Sequence, residues 1–452
     1  MNIKIIDKNA IPHIVILIFI TIEVLFYGPS NSGQITLASL SYLTIFLFLL
    51  VNFQRGIFFY LIFSILSISS WSYPEFTGYN FLGLRIFDIS VNSLFGGILV
   101  VFILIREKKI QINKYVIIII TFLSLYGLYN VYNSTNYLNN YIGDIKSYIL
   151  ILIYIVLIKC INKEYRYKLI YFSIIYTLIQ LIISYIFNIR FSYDINSQYI
   201  LMNSFSYILP FTMLFSYKYI GKINYIIFTS ILAFFILSGN FFIGGKFIFI
   251  AFLVLFWAIY HKSKILFISS VVLFLVFVSS INEILLILQD YFSGTVTANR
   301  LAQIQFLIET LDITEVAETR TSLGNVIAEV YTVFTYFKDN LIALLIGLGF
   351  GGGVPDVHNY LGQYAGAGGY SEIDQFRDNY FRMHLPITEI FLKMGLIGVS
   401  IYFYFIKEYL SNYNMKSISI LILVLFVFYI SKEMLLLTIV FFYFPINRKY
   451  DN

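Results

Sequence analysis

Long, unbroken apolar runs limit the fold of this chain more tightly than any other feature. They fall at 11–27, 35–53, 56–70, 89–105, 115–131, 147–161, 169–187, 199–216, 223–239, 244–260, 265–281 and 385–406, with shorter ones at 417–431 and 434–447. About 20 such residues cross the hydrocarbon of a bilayer as one helix. About 14 spans are therefore expected, or 12 if the last two runs form a bent, re-entrant pair. The runs do not alternate, which argues against a β-barrel. Over the 452 residues, 59% are hydrophobic and 12% charged, against roughly 45–50% and 25% in soluble domains. So little polar surface cannot cover a soluble globule, which excludes a soluble enzyme, a disordered chain and a coiled coil. The expected fold is all-α, a polytopic transmembrane helical bundle forming one integral membrane domain over residues 1–452. The first run ends in Gly28-Pro29-Ser30 without a cleavage pattern and reads as a helix rather than a signal peptide. A single cysteine, Cys160, permits no internal disulfide.

The few charges orient these spans. With the N-terminus inside, the cytoplasmic connections hold 19 Lys and Arg residues and the short outer connections hold 5: Arg85, Lys146, Arg190, Lys246 and Lys432. Excess positive charge marks the cytoplasmic side, so both termini are expected in the cytoplasm. One outer connection is long, covering residues 282–384 between the eleventh and twelfth spans. It carries 12 of the 24 acidic residues and two of the four histidines. Loops beyond ~12–15 residues are usually functional. Leu301, Ile304, Leu307, Ile308 and Leu311 recur at helical spacing within it, as do Val326, Val330, Val333 and Phe337. Two amphipathic helices are expected there, followed by a glycine-rich stretch with nine glycines from Gly347 to Gly369. That stretch lacks the Lys-Ser/Thr ending of a P-loop. At 347–353 a compact turn with close backbone approach and a flexible loop are both open readings, and at 362–369 a flexible loop is expected.

Four basic residues run against the outer charge bias: Arg190, Lys246, Arg300 and Arg320. Each could anchor at the interface by snorkelling, or pair with Glu309, Glu315 or Glu318. Together they could hold an anion, and guanidinium suits bidentate contact with phosphate. His358 and His384 lie outside, and no His, Cys or carboxylate pair shows metal-ligand spacing, so no metal and no cofactor is expected. Glu389 and Lys393 stand four apart on one helical face, where a self-neutralising pair is one reading. The other makes His384 a general base near neutral pH, with Glu389 beside it.

The stretch His384-Leu-Pro-Ile-Thr-Glu389-Ile-Phe-Leu-Lys393-Met-Gly395-Leu-Ile-Gly398 resembles the signature of the O-antigen polymerase and O-antigen ligase superfamily. There a histidine closing a long outer loop precedes an acid and a Gly-x-x-Gly. Ile346-Gly-Leu-Gly-Phe-Gly-Gly352 is similar to the short glycine motif of the same family, and Leu84-Arg85-Ile-Phe-Asp88-Ile-Ser90 to a segment opening an early span. Arg190 and the Ser238 to Lys246 stretch fall where the family places outward basic residues.

The resemblance implies metal-independent, inverting glycosyl transfer at the outer leaflet of the bacterial inner membrane. Donor and acceptor would be undecaprenyl-diphosphate-linked oligosaccharides, building O-antigen or capsule polysaccharide, with a chain-length regulator as a protein partner and no role for nucleic acid. It implies His384 as first candidate base and His358 as second, with Arg190, Lys246, Arg300 and Arg320 on the diphosphate. A ligase transferring glycan to a lipid or protein acceptor is the sibling reading. A lipid-linked oligosaccharide flippase is the alternative from another class.

Overall fold

A computed structural model of the chain describes residues 10–25, 32–68, 81–86, 89–107, 114–133, 136–194, 197–200, 203–207, 209, 222–237, 281–293, 298, 301–302, 305–306, 322–362, 370, 372–381, 383 and 386–411. These residues are mostly helical, with few strands. In chain order the elements are α1 (Ala10–Leu25), α2 (Ser32–Val51), α3 (Phe53–Leu66), β1 (Arg85–Ile86), β2 (Ile89–Ser90) and α4 (Val91–Glu107). There follow α5 (Lys114–Tyr132), α6 (Leu138–Cys160), α7 (Lys163–Ile186), β3 (Arg190–Asp194), β4 (Ser197–Ile200) and α8 (Lys222–Leu237). The rest are α9 (Ile281–Tyr291), α10 (Ser322–Lys338), α11 (Leu341–Ile346), α12 (Glu372–Phe376) and α13 (Pro386–Ser411). Asparagines set several helix starts. Asn52, Asn162 and Asn340 accept the N–H of Arg55, Tyr165 and Ala343, each satisfying a first-turn donor that has no helical partner.

Among the described residues two helices are long and apolar enough to cross a membrane, Leu138–Cys160 and Glu164–Ile186, and shorter apolar helices lie at Ile11–Leu25, Ile35–Val51, Phe53–Leu66 and Val91–Arg106. The run expected at 199–216 does not open as a helix. Ser197–Ile200 pairs antiparallel with β3, with Arg190 opposite Ile200, and Ser204–Tyr207 is a 3-10 turn. Asn203 is the reason, because its Oδ1 accepts both the N–H and the hydroxyl of Ser206 and winds the chain tightly there. The spans expected at 244–260, 265–281, 417–431 and 434–447 lie outside the described residues, as does most of the first amphipathic helix. The second amphipathic helix is α10.

The chain divides into two compact units, one drawn from within 1–112 and 149–235, the other from within 113–148 and 236–435. In the first, α3 is buried on every side from Gly56 to Leu66, as an all-round apolar helix must be. Phe63 stacks on Phe19 at 4.2 Å and Phe59 on Phe48 at 4.3 Å. The polar groups of this unit turn inward: Ser67 Oγ and the Ile68 N–H donate to the Glu23 carboxylate, and Asn203 donates to Gln180 and Thr177. Its apolar groups also turn outward, with Leu40, Leu43, Leu47 and Leu50 more than half exposed along one face of α2.

In the second unit a buried cluster gathers Val333 and Phe337 of α10, Ala343 of α11, Val354, Leu361, Tyr370 and Tyr380 from the intervening chain, and Phe391 and Leu392 of α13. This core seats the glycine-rich chain against α13.

Candidate functional site

The second unit brings together two of the motifs that carry the family resemblance. Helix α13 opens on Pro386, whose fixed φ and missing N–H suit a first turn. It breaks at Gly395, which sits at φ 60° and ψ −159°. A left-handed residue inside a helix turns the following N–H groups away from the preceding carbonyls. Here the carbonyls of Leu392 and Lys393 accept instead from the N–H groups of Leu348 and Gly349, at 2.9 and 3.0 Å. Gly347, Gly349 and Gly351 stand at φ 75°, 72° and 79°. A Cβ on Gly395 would lie 2.5 Å from the Leu345 carbonyl carbon and 2.6 Å from Gly347 N, and one on Gly347 would overlap the backbone of Lys393 and Met394. Of the two readings open at 347–353, close backbone approach is therefore the one present, and its partner is the break in α13.

A buried ion pair locks this contact. Lys393 Nζ lies 2.8 Å from Asp144 Oδ2 of α6, and both side chains are fully buried. The ammonium also donates to the Gly352 carbonyl at 2.6 Å and sits 5.4 Å from the centroid of the Phe381 ring. Asp144 Oδ2 accepts the Gly351 N–H at 2.8 Å. The Asn136 and Asn130 carboxamides donate to the Leu348 carbonyl, and Asn136 also to that of Phe350. Charge and loop backbone thus satisfy each other in the interior, as buried polar groups require.

Lys393 therefore does not pair with Glu389, as helical spacing alone would allow. Glu389, also buried, accepts the Met383 N–H at 2.7 Å and so ties down the residue before His384 in the chain. The i, i+4 pair would neutralise two charges but leave the Gly351 N–H and Gly352 carbonyl without these partners. Asp144 is the residue that sequence reasoning missed. In Gly143-Asp144-Ile145-Lys146 its nearest cation along the chain is two residues on, and no local spacing points to Lys393.

The chain after the glycine motif is built around a second carboxylate. Asp356 accepts the N–H groups of Tyr360, Leu361 and Gly362, and its own N–H donates to Asp378 at 2.8 Å. Tyr370 donates to Glu329 of α10 at 2.6 Å, both buried. Burial first, then the Glu329 carboxylate, pushes the Tyr370 phenol up. Burial, followed by Asp356, Asp378 and Asp374, pushes Tyr380 up to about 12. Both phenols therefore stay protonated donors at neutral pH. Hydrogen bonds to a charged acceptor contribute ~1.5–3 kcal/mol each. Asp356→Ala is thus expected to raise amide exchange at 360–362 at least tenfold by mass spectrometry, with Asp356→Asn in between. Unchanged exchange would remove the carboxylate from its organising role.

His358 is exposed, with its ring 5.8 Å from that of Tyr331 and 5.5 Å from that of Tyr360. Arg190 opens β3 in the first unit. His384, Lys246, Arg300, Arg320 and Asp88 lie outside the described residues. Among the described residues no group of three or more His, Cys, Asp or Glu could hold a metal ion.

No protein-family model, curated protein or solved structure matches this chain.

Proposed function

We propose that the chain is a polytopic glycosyltransferase of about 14 spans in the bacterial cytoplasmic membrane, N- and C-termini inside, that polymerises undecaprenyl-diphosphate-linked repeat units into a surface polysaccharide. The outward leucines of α2 support the membrane reading, since contiguous exposed apolar surface on a soluble monomer is rare. The observation that carries the enzyme reading is the mutual seating of two motifs. The glycine motif closes on the helix break just behind Glu389 and Lys393, through backbone hydrogen bonds and the Asp144 ion pair. Irregular backbone at membrane depth is tolerated where protein buries it, and a site on such a scaffold is held rigidly.

In this reading His384 removes the proton from the acceptor sugar hydroxyl. That oxygen attacks the anomeric carbon from the face opposite the leaving group, the C–O bond forms with inversion, and the lipid diphosphate departs. Arg190, Lys246, Arg300 and Arg320 offset the charge developing on the diphosphate, and Glu389 orders the chain entering His384. A flippase is the second reading, and one observation favours it: Glu23, Asn92, Thr177 and Gln180 are buried within apolar helices of the first unit, where ionisable and polar groups mark pathways.

Deleting the gene separates these readings. Single repeat units on the lipid carrier are expected. Long unattached chains would make the protein a ligase, and carrier-linked units trapped on the cytoplasmic side would make it a flippase. On the restored background, His384→Ala is expected to abolish polymer, and His358→Ala alone doing so would move the base to His358. Full polymer without His384 would refute its assignment as base.

A further inference from the structure

The second unit displays a corner of three rings that neither the base nor the diphosphate uses. Tyr331 of α10, His358 and Tyr360 contact one another with centroids 5.5–5.8 Å apart. His358 and Tyr360 lie within 31° of parallel and make a floor, and Tyr331 stands at 75° to Tyr360 as a wall. The corner is preformed. Asp356 holds the Tyr360 N–H, Asn359 turns the chain between the two floor rings at φ 55°, and the Glu329–Tyr370 hydrogen bond anchors α10 two residues before Tyr331. Tyr331 and His358 are both exposed, and among the described residues the Tyr331 hydroxyl and the imidazole make no hydrogen bond.

We propose that Tyr331, His358 and Tyr360 form a binding corner for the pyranose rings of a surface glycan. A pyranose has a face of C–H groups, weakly positive, and a rim of hydroxyls. Aromatic faces are negative and accept the first; the phenol and imidazole edges are open to the second. Pre-set rings lose little conformational entropy on binding. Charge bears on the choice of occupant: the Asp356 carboxylate accepts the Tyr360 N–H, and Asp378 accepts the N–H of Asp356. Anionic lipid headgroups attract basic segments, so carboxylates behind the corner disfavour the membrane surface and suit an uncharged sugar. This deepens the polymerase reading by naming a glycan subsite on the outer loop, and rests on that reading for the choice of glycan.

The test uses the full chain in nanodiscs and, as probe, oligosaccharides released by mild acid from the producing cell's own surface polysaccharide. Saturation-transfer NMR is expected to show contact with the ring C–H protons. Affinity should fall at least tenfold in Tyr331→Ala and in Tyr360→Ala and be kept in Tyr331→Phe, all with unchanged elution and melting. Absent binding, or binding equal in the alanine variants, overturns the proposal. Quenching of Tyr331→Trp fluorescence by brominated phosphatidylglycerol, above that of the native Trp71 and Trp257, also overturns it by placing the ring in the membrane surface. Binding is read without turnover. Loss of the corner with polymer still made would sink the subsite alone, whereas ring-dependent binding by a chain whose deletion leaves polymer intact would sink the polymerase reading alone.

Discussion

Lys393→Met is expected to destabilise the protein by about 3–5 kcal/mol, the range for removing one partner of a buried ion pair. The ammonium is wholly buried and its loss strands the Asp144 carboxylate, with the Gly352 carbonyl losing its donor in the same step. Methionine nearly matches the lysine stem in volume, so the change isolates charge from packing. Unfolding in mixed micelles measures it, with Asp144→Asn/Lys393→Met as the control. The double variant removes the stranded charge and keeps an acceptor for the Gly351 N–H, so it is expected to recover part of the loss. A single variant within 1 kcal/mol of wild type would show that the pair does not hold the loop, because stranding one partner of a buried ion pair costs about 3–5 kcal/mol.

Gly347→Ala and Gly395→Ala are each expected to cost about 3 kcal/mol or more. Positive φ with ψ near −160° is essentially glycine-only backbone and costs an L-residue ~1–3 kcal/mol, and at both positions the added Cβ meets backbone, which cannot swing aside. Gly347 meets Lys393 and Met394, and Gly395 meets Leu345 and Gly347, so either substitution pries the glycine motif from the helix break. Gly97 of α4 supplies the contrast. It has open space where a Cβ would go, and alanine there is expected to stabilise by about 0.5–1 kcal/mol. Polymer length in cells should follow the same order. Equal behaviour of the three variants would refute the claim that the close approach is what these glycines serve.

Parts of this site were legible in the sequence for a local reason. Gly347, Gly349 and Gly351 crowd into a few residues, and such crowding asks for left-handed backbone wherever it occurs. Helix α10 was legible from the spacing of Val326, Val330, Val333 and Phe337, a property of neighbours on one face. The partner of Lys393 was not. Glu389 stands at the right helical distance, but Asp144, far earlier in the chain, reaches both the ammonium and the Gly351 N–H. Asp356 looked like one acid among the twelve of its loop, and its three backbone donors appear only once the chain has turned at Asn359.

Local pattern along the chain was enough for the helical class, for the position of most described helices and for marking 347–353 as a place of close backbone approach. Periodicity, capping and glycine content are written within a few residues and survive any packing. Tertiary structure alone decided which lone charges meet, where the glycine motif comes to rest and which rings face outward together. A buried charge takes whatever partner satisfies it and the polar backbone around it at once, and spacing along the chain carries no record of that choice.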